Sequence, residues 1–181
     1  MKSLKMFSKL AVCLVVSTGI LSFSANAQKS QKLTDPEIAS VAVTANQVDI
    51  DNAKVALKKS KNQQVIDFAK TMEKDHGAVI KQAVALVTKL GVTPKDNAIS
   101  QSLNAQAIKT HKTLNTKSGK AFDKAYVDNE VAYHIAVINE VENVLIPDAT
   151  NKELHDLLVS AVPLFKAHLE HAKMLQKTLE K

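Results

Sequence analysis

His76, His134 and His168 each fall on the apolar stripe of a different expected helix, and each has a carboxylate or a second histidine three or four residues away. Imidazoles and carboxylates turned inward from facing helices are the donors from which helical bundles build metal sites. At about 100° of rotation per residue, Glu73 and His76 lie about 60° apart, Glu130 and His134 about 40°, and His168 and His171 about 60°. Each pair therefore aims at one point. The first helix offers Asp49 or Asp51. At about 1.5 Å rise per residue, Asp49 lies roughly 18 Å and His76 roughly 22 Å from a turn near Lys61. Glu130 and His168 lie roughly 26 Å and 32 Å from Pro147 on the same rise, with His134 closer to it. These depths are compatible with one metal cluster drawn from His76, His134, His168, Glu73, Glu130, Asp49 and His171. A second reading is open on the same residues: each histidine is a partly buried group paired with Asp75, Glu130 or Glu170, and serves only to fix helix register. His111 and His155 lack comparable partners and are expected at the surface.

The remaining chemistry is sparse. There is no glycine-rich phosphate loop and no serine nucleophile elbow, and the single cysteine is Cys13. Glu140 and Glu142 are two apart on a helix, do not face each other, and are expected to be solvated. Met72 and Met174 are expected to fill core space. Tyr126 is expected to pack with its hydroxyl satisfied, and Tyr133 to lend a hydroxyl to the polar cluster.

The elements that must hold these residues are helical. The apolar period is 3.6 residues almost throughout, and past residue 30 the only glycines are Gly77, Gly91 and Gly119. Thr34-Asp35-Pro36-Glu37 opens a first helix with Asp35 as N-cap, and its inner face reads Ile38, Val41, Ala45, Val48, Asn52 and Val55. A second helix starts near Asn62 and is stopped by Gly91, with Val65, Phe68, Met72, His76, Val79, Ala83, Val87 and Leu90 inward. A shorter crossing helix covers 98–114, and a third long helix from about Lys120 places Phe122, Tyr126, Glu130, His134, Val137, Val141 and Leu145 on one face. After a break at Pro147-Asp148, the last helix carries Leu154, Leu158, Ala161, Phe165, His168, Ala172, Leu175 and Leu179. Pro163 should leave the Val159 carbonyl without its donor, giving a kinked helix or two short ones.

The first residues read differently. Lys2, Lys5 and Lys9 precede an apolar run from Leu10 to Leu21, and Ala25-Asn26-Ala27 is a small-x-small cleavage site. Residues 1–27 are thus expected to be a cleavable signal peptide and 28–181 one exported domain without a transmembrane helix, thiol or disulfide. The leader holds three of the 24 basic residues, all of which are lysine, leaving 21 against 18 acidic ones. With no arginine and no tryptophan, the chain lacks the bidentate and stacking side chains of a nucleic-acid reader, so that partner class is excluded.

Three stretches carry a family resemblance: Val65-Ile66-Asp67-Phe68-Ala69-Lys70-Thr71-Met72-Glu73-Lys74-Asp75-His76, Phe122-Asp123-Lys124-Ala125-Tyr126-Val127 leading to His134, and Val162-Pro163-Leu164-Phe165-Lys166-Ala167-His168. Over residues 33–179 the chain resembles the ferritin-like domain-of-unknown-function family numbered 4142, small exported bacterial proteins often labelled as outer-membrane or periplasmic. The resemblance implies an all-α, ferritin-like four-helix bundle with the extra short helix between helices 2 and 3, located in the periplasm or at the outer membrane, with no established activity. In ferritin-like di-metal proteins two helices each supply a Glu and two a Glu-x-x-His. Glu73 to His76 matches one such motif and Glu130 supplies one carboxylate, but the first helix offers only aspartates and His168-Leu169-Glu170-His171 has a histidine in the glutamate's place. Such a histidine-rich set suits one zinc, copper or nickel ion better than a di-iron centre. The expected function is accordingly non-enzymatic metal binding in buffering or envelope stress tolerance. The alternatives are an interaction module with an envelope partner or a second copy of itself, and a di-iron oxidase or peroxidase using Fe.

Overall fold

Each helix begins and ends where the local chemistry dictates. The computed structural model describes residues 32–180, so the expected signal peptide lies outside the described residues. Helix α1 spans Asp35–Lys59 and is capped by Thr34 rather than Asp35: the Glu37 carboxylate accepts from the Thr34 amide at 3.0 Å and from its hydroxyl at 2.7 Å. Asp35 is instead drawn to the start of the last helix, where it accepts from the amides of Thr150 and Asn151 at 2.8 and 3.0 Å. Helix α2 spans Gln63–Leu90, opened by the Asn62 side chain on the Gln64 amide and closed by Gly91 at φ +65°. Helix α3 spans Ala98–Asn115, with Asn97 capping the amides of Ile99 and Ser100 and Ser100 Oγ returning the bond to the Asn97 amide.

Helix α4 spans Gly119–Glu140 and runs into a single π turn, Val141–Leu145, before the short α5 at Ile146–Asp148. Pro147 brings no amide hydrogen to this turn, and the Ile146 amide reaches five residues back to the Val141 carbonyl. Val141 and Leu145 both stay buried through the insertion. Helix α6 spans Lys152–Leu179 without interruption, so the expectation of two short helices at Pro163 is corrected. The missing donor falls beside Val159, which is exposed, so water can serve the freed carbonyl, while Leu158, Val162 and Phe165 hold the inner face.

Helices α1 and α2 form one hairpin and α4 and α6 the other; α2 lies on α6 and α1 on α4, closing a four-helix bundle, with α3 laid across α1 and α4. The long connection before α3 is pinned to α1 by the Lys95 amide on the Pro36 carbonyl (2.9 Å) and by Asn97 Nδ2 on the Glu37 carbonyl (3.0 Å). Among the described residues no helix is long and apolar enough to cross a membrane.

The core has two apolar halves. One gathers Ala53, Ala56, Val65, Phe68, Met72, Phe122, Tyr126, Ala172 and Leu175, and the other Ile38, Val41, Ala45, Val137, Leu145, Leu154, Leu158 and Phe165. The two sets fall on opposite sides, along every helix, of the level at which Asp49, His76, Glu130, His134 and His168 are buried. Met174 does not fill the core as expected but is exposed, lying in the chain between the buried Ala172 and Leu175 and turned off their face.

The left-handed Gly91 supports a direct test of the α2 terminus. Gly91→Ala should lower unfolding stability by about 1 kcal/mol through backbone strain alone, since open space surrounds the position; urea titration followed by circular dichroism reads it.

Candidate metal centre

One side chain from each of α1, α2 and α6 and two from α4 meet at mid-bundle. Asp49 and Glu130 are fully buried and His76, His134 and His168 retain at most 4 % exposure. The three rings form a triangle with centroids 5.1 to 5.6 Å apart. His76, His134 and His168 each offer a donor atom within 4.8 Å of the others, and so do Asp49, Glu130 and His134.

Each imidazole uses one nitrogen to hold itself in place. His76 Nδ1 donates to Asn46 Oδ1 at 2.8 Å, and the Asn46 amide is itself oriented by Nδ2 donating to the Ala42 carbonyl at 2.8 Å. His134 Nδ1 donates to the Glu130 carbonyl at 2.9 Å, and His168 Nε2 to Asp75 Oδ2 at 3.1 Å. The opposite nitrogens, His76 Nε2, His134 Nε2 and His168 Nδ1, have no hydrogen-bond partner among the described residues, nor has either Asp49 oxygen. Asp49 Oδ2 sits 3.3 Å from His76 Nε2 and 3.5 Å from His134 Nε2. With the first nitrogens protonated, lone pairs face a carboxylate oxygen there, which is favourable only around a shared cation or proton. In a tetrahedral site with roughly 2.0–2.1 Å bonds, neighbouring donor atoms stand about 3.3–3.4 Å apart. The Asp49 contacts match that edge.

Burial governs the protonation. It holds His76 well below its usual range, with His134 and His168 adding repulsion, and it lowers His134 to about 4 against the pull of the Glu130 carbonyl. Burial also lowers His168, which Asp75 partly offsets. The rings are therefore neutral at pH 7, the form that binds metals. Burial pushes Asp49 up to about 8 and raises Glu130 well above its ordinary value, with the Asp49 charge adding to the rise. Retained protons keep the metal-free pair from carrying two buried charges.

The other expected residues fall elsewhere. Glu73 is half-buried on α2 and joins neither donor group, and His171 is exposed with its ring edge-on to Phe68 at 5.1 Å. Asp51 turns outward to Gln47 Nε2 at 2.9 Å, leaving Asp49 as the inward aspartate. Tyr133 does reach the site wall, but its hydroxyl donates to the Ala45 carbonyl at 2.8 Å. Tyr126 departs from expectation: it is fully buried and its hydroxyl has no partner among the described residues. His155 keeps 43 % of its side chain exposed, as expected, whereas His111 is half-buried with Nε2 sealed from solvent, and Glu140 is half-buried with Oε1 sealed from solvent, not solvated. Glu142, two residues further on, stays exposed and pairs with Lys166 at 2.6 Å.

Sequence reasoning missed Asn46, although it stands one helical turn before Asp49 on the same face of α1. Asp75 was legible as a partner for a histidine, but it serves His168 on α6: adjacent to His76 in the chain, it points about 100° away from it.

A pH series isolates Asp49. Because its folded value is raised above 3.8, its contribution to metal-free stability is complete below about pH 4 and is lost as pH rises through about 8. Unfolding stability in chelator should fall by at least ~1 kcal/mol between about pH 6.5 and 8.5, one pKa unit being about 1.4 kcal/mol. In Asp49→Asn most of that slope should vanish; an unchanged slope would assign it to other groups.

The model of a family described as a domain of unknown function, DUF4142, matches residues 21–175. Compared with curated proteins and with solved structures, the chain has no match. The match spans most of the sequence, including all four helices that supply the buried cluster, and the chain belongs to the DUF4142 family.

Proposed function

We propose that the protein is exported by the signal peptide at residues 1–27 and works in the periplasm or at the outer membrane as a non-enzymatic bundle. There it holds one divalent transition metal through His76, His134, His168 and Asp49, in metal buffering or envelope stress tolerance. One observation carries the metal reading: three imidazoles each give one nitrogen to an oriented oxygen acceptor and leave the other unpartnered, two of the free nitrogens lying 3.3 and 3.5 Å from the buried Asp49 carboxylate. Ligating histidines in metal proteins are fixed in this way by their outer partners. The donor set, three nitrogens and one carboxylate oxygen, suits zinc first, and copper or nickel where geometry allows. It provides two buried carboxylates at that level, where a di-iron centre draws on four.

The rival reading, a polar layer that only fixes helix register, is favoured by the raised pKa values of Asp49 and Glu130, which let the carboxyls stay uncharged without any ion. Metal analysis separates the two. Residues 28–181, free of tags, should take up close to one equivalent of zinc, and the His76/His134/His168 triple alanine variant should take up none. Equal uptake by both, or none by the intact protein, would sink the metal reading. Asn46→Ala should weaken zinc affinity by roughly 10- to 100-fold, as loss of an orienting partner does, without removing a ligand.

A further inference from the structure

The half of the bundle between the histidine layer and the π turn is not filled by its own side chains. A partly open cavity of about 540 Å³ lies between α1, α2, α3, α4 and α6. Packed helices ordinarily close such gaps with side chains, so an apolar recess of this size that reaches in as far as Asn46 and Phe165 is a feature of the sequence. Its origin is the run of small residues facing it, among them Ala39, Ala42, Ala83, Ala136 and Ala161. Cavities of this volume are of the size that holds small organic ligands.

The polar groups are few and placed unequally. At the inner end, Phe165 stacks on His76 with ring centroids 5.4 Å apart and planes at 4°, and with Asn46 and Tyr133 it borders both this cavity and the histidine site. Asn46 and the Tyr133 hydroxyl are already engaged. Near the other end is Glu140, at the last turn of α4 before the π insertion, with Oε1 shielded from solvent and without a hydrogen-bond partner among the described residues. Burial raises its pKa, which favours the neutral acid, a group that both donates and accepts a hydrogen bond. The wall holds no lysine and no other acidic residue. An ion is thus poorly served and an alkyl chain well served.

We propose that this cavity binds a single-chain amphiphile, its aliphatic chain among the alanine and valine walls and a hydroxyl or protonated carboxyl head hydrogen-bonded to Glu140. The site is separate from the metal proposal, since no residue offered there as a ligand lines the cavity.

The neutral dye N-phenyl-1-naphthylamine provides the test, on the whole protein in chelator so that metal has no part. Saturable one-to-one binding is expected, with displacement by the straight-chain alcohols from octanol to hexadecanol and by the matching acids at low pH, passing through an optimum in chain length. Ala42→Phe and Ala161→Phe, which fill the space from two different helices, should each reduce displacement-competent binding at least tenfold. Glu140→Gln should weaken alcohols and acids by roughly three- to tenfold, about the worth of one hydrogen bond, and leave the dye unaffected. An alkyl diazirine alcohol photolysed on the wild-type protein should label peptides of α1, α4 and α6 that face the cavity, a readout that does not depend on any variant folding. Absence of saturable binding, binding indifferent to folded filled variants, or labelling confined to the outer surface would overturn the proposal.

Discussion

Removal of five ionisable side chains from water in one layer of the bundle is the constraint around which the rest is arranged. An isolated buried charge is prohibitively unfavourable, so each member has to be neutral, paired or oriented. The imidazoles meet this by staying neutral and fixing one nitrogen each; the carboxyls meet it by raised pKa values that favour the uncharged acid. The acceptors that orient the rings come from three helices: Asn46 on α1, Asp75 on α2 and the Glu130 carbonyl on α4. Register is locked by this arrangement, because moving any helix by one turn would leave buried donors and acceptors facing apolar walls.

The two apolar halves play different parts in support of that layer. On one side large residues fill the space, with Phe68, Met72, Phe122 and Tyr126 fully buried. On the other side small residues leave room, and α3 together with the π turn adds to the walls around it. Rigidity on one side and vacancy on the other mean that the layer is held by packing from below and by hydrogen bonds laterally. The Phe165 ring, stacked on His76, is the contact through which the two regions meet.

The helices themselves were largely legible. Asn62, Gly91 and Pro147 mark ends by local chemistry, and the stripe from Phe122 to Leu145 is buried as its period implies. Where the reading slipped, competing contacts outweighed local preference. Asp35 is a good cap by type, but the chain offered it the amides before α6, and Thr34 with Glu37 took its place. Pro163 left a kinked helix or two short ones open, and packing on either side keeps α6 whole.

By itself the sequence determined that the chain is helical, where each stripe runs, and that His76, His134 and His168 lie on those stripes, because a 3.6-residue period is a local property of the backbone. Only the tertiary structure decided that Asp49 and not Asp51 enters the layer, that Glu73 and His171 stand apart from it, and that Asn46 and Asp75 orient rings on other helices. These depend on helix rotation and on distances of a few ångströms between chains of contacts far apart in sequence, and a rotation of one residue, about 100°, is enough to exchange an inward group for an outward one. The cavity belongs to the same class of fact: alanines read as helix formers, and only the juxtaposition of several of them across facing helices turns small side chains into space.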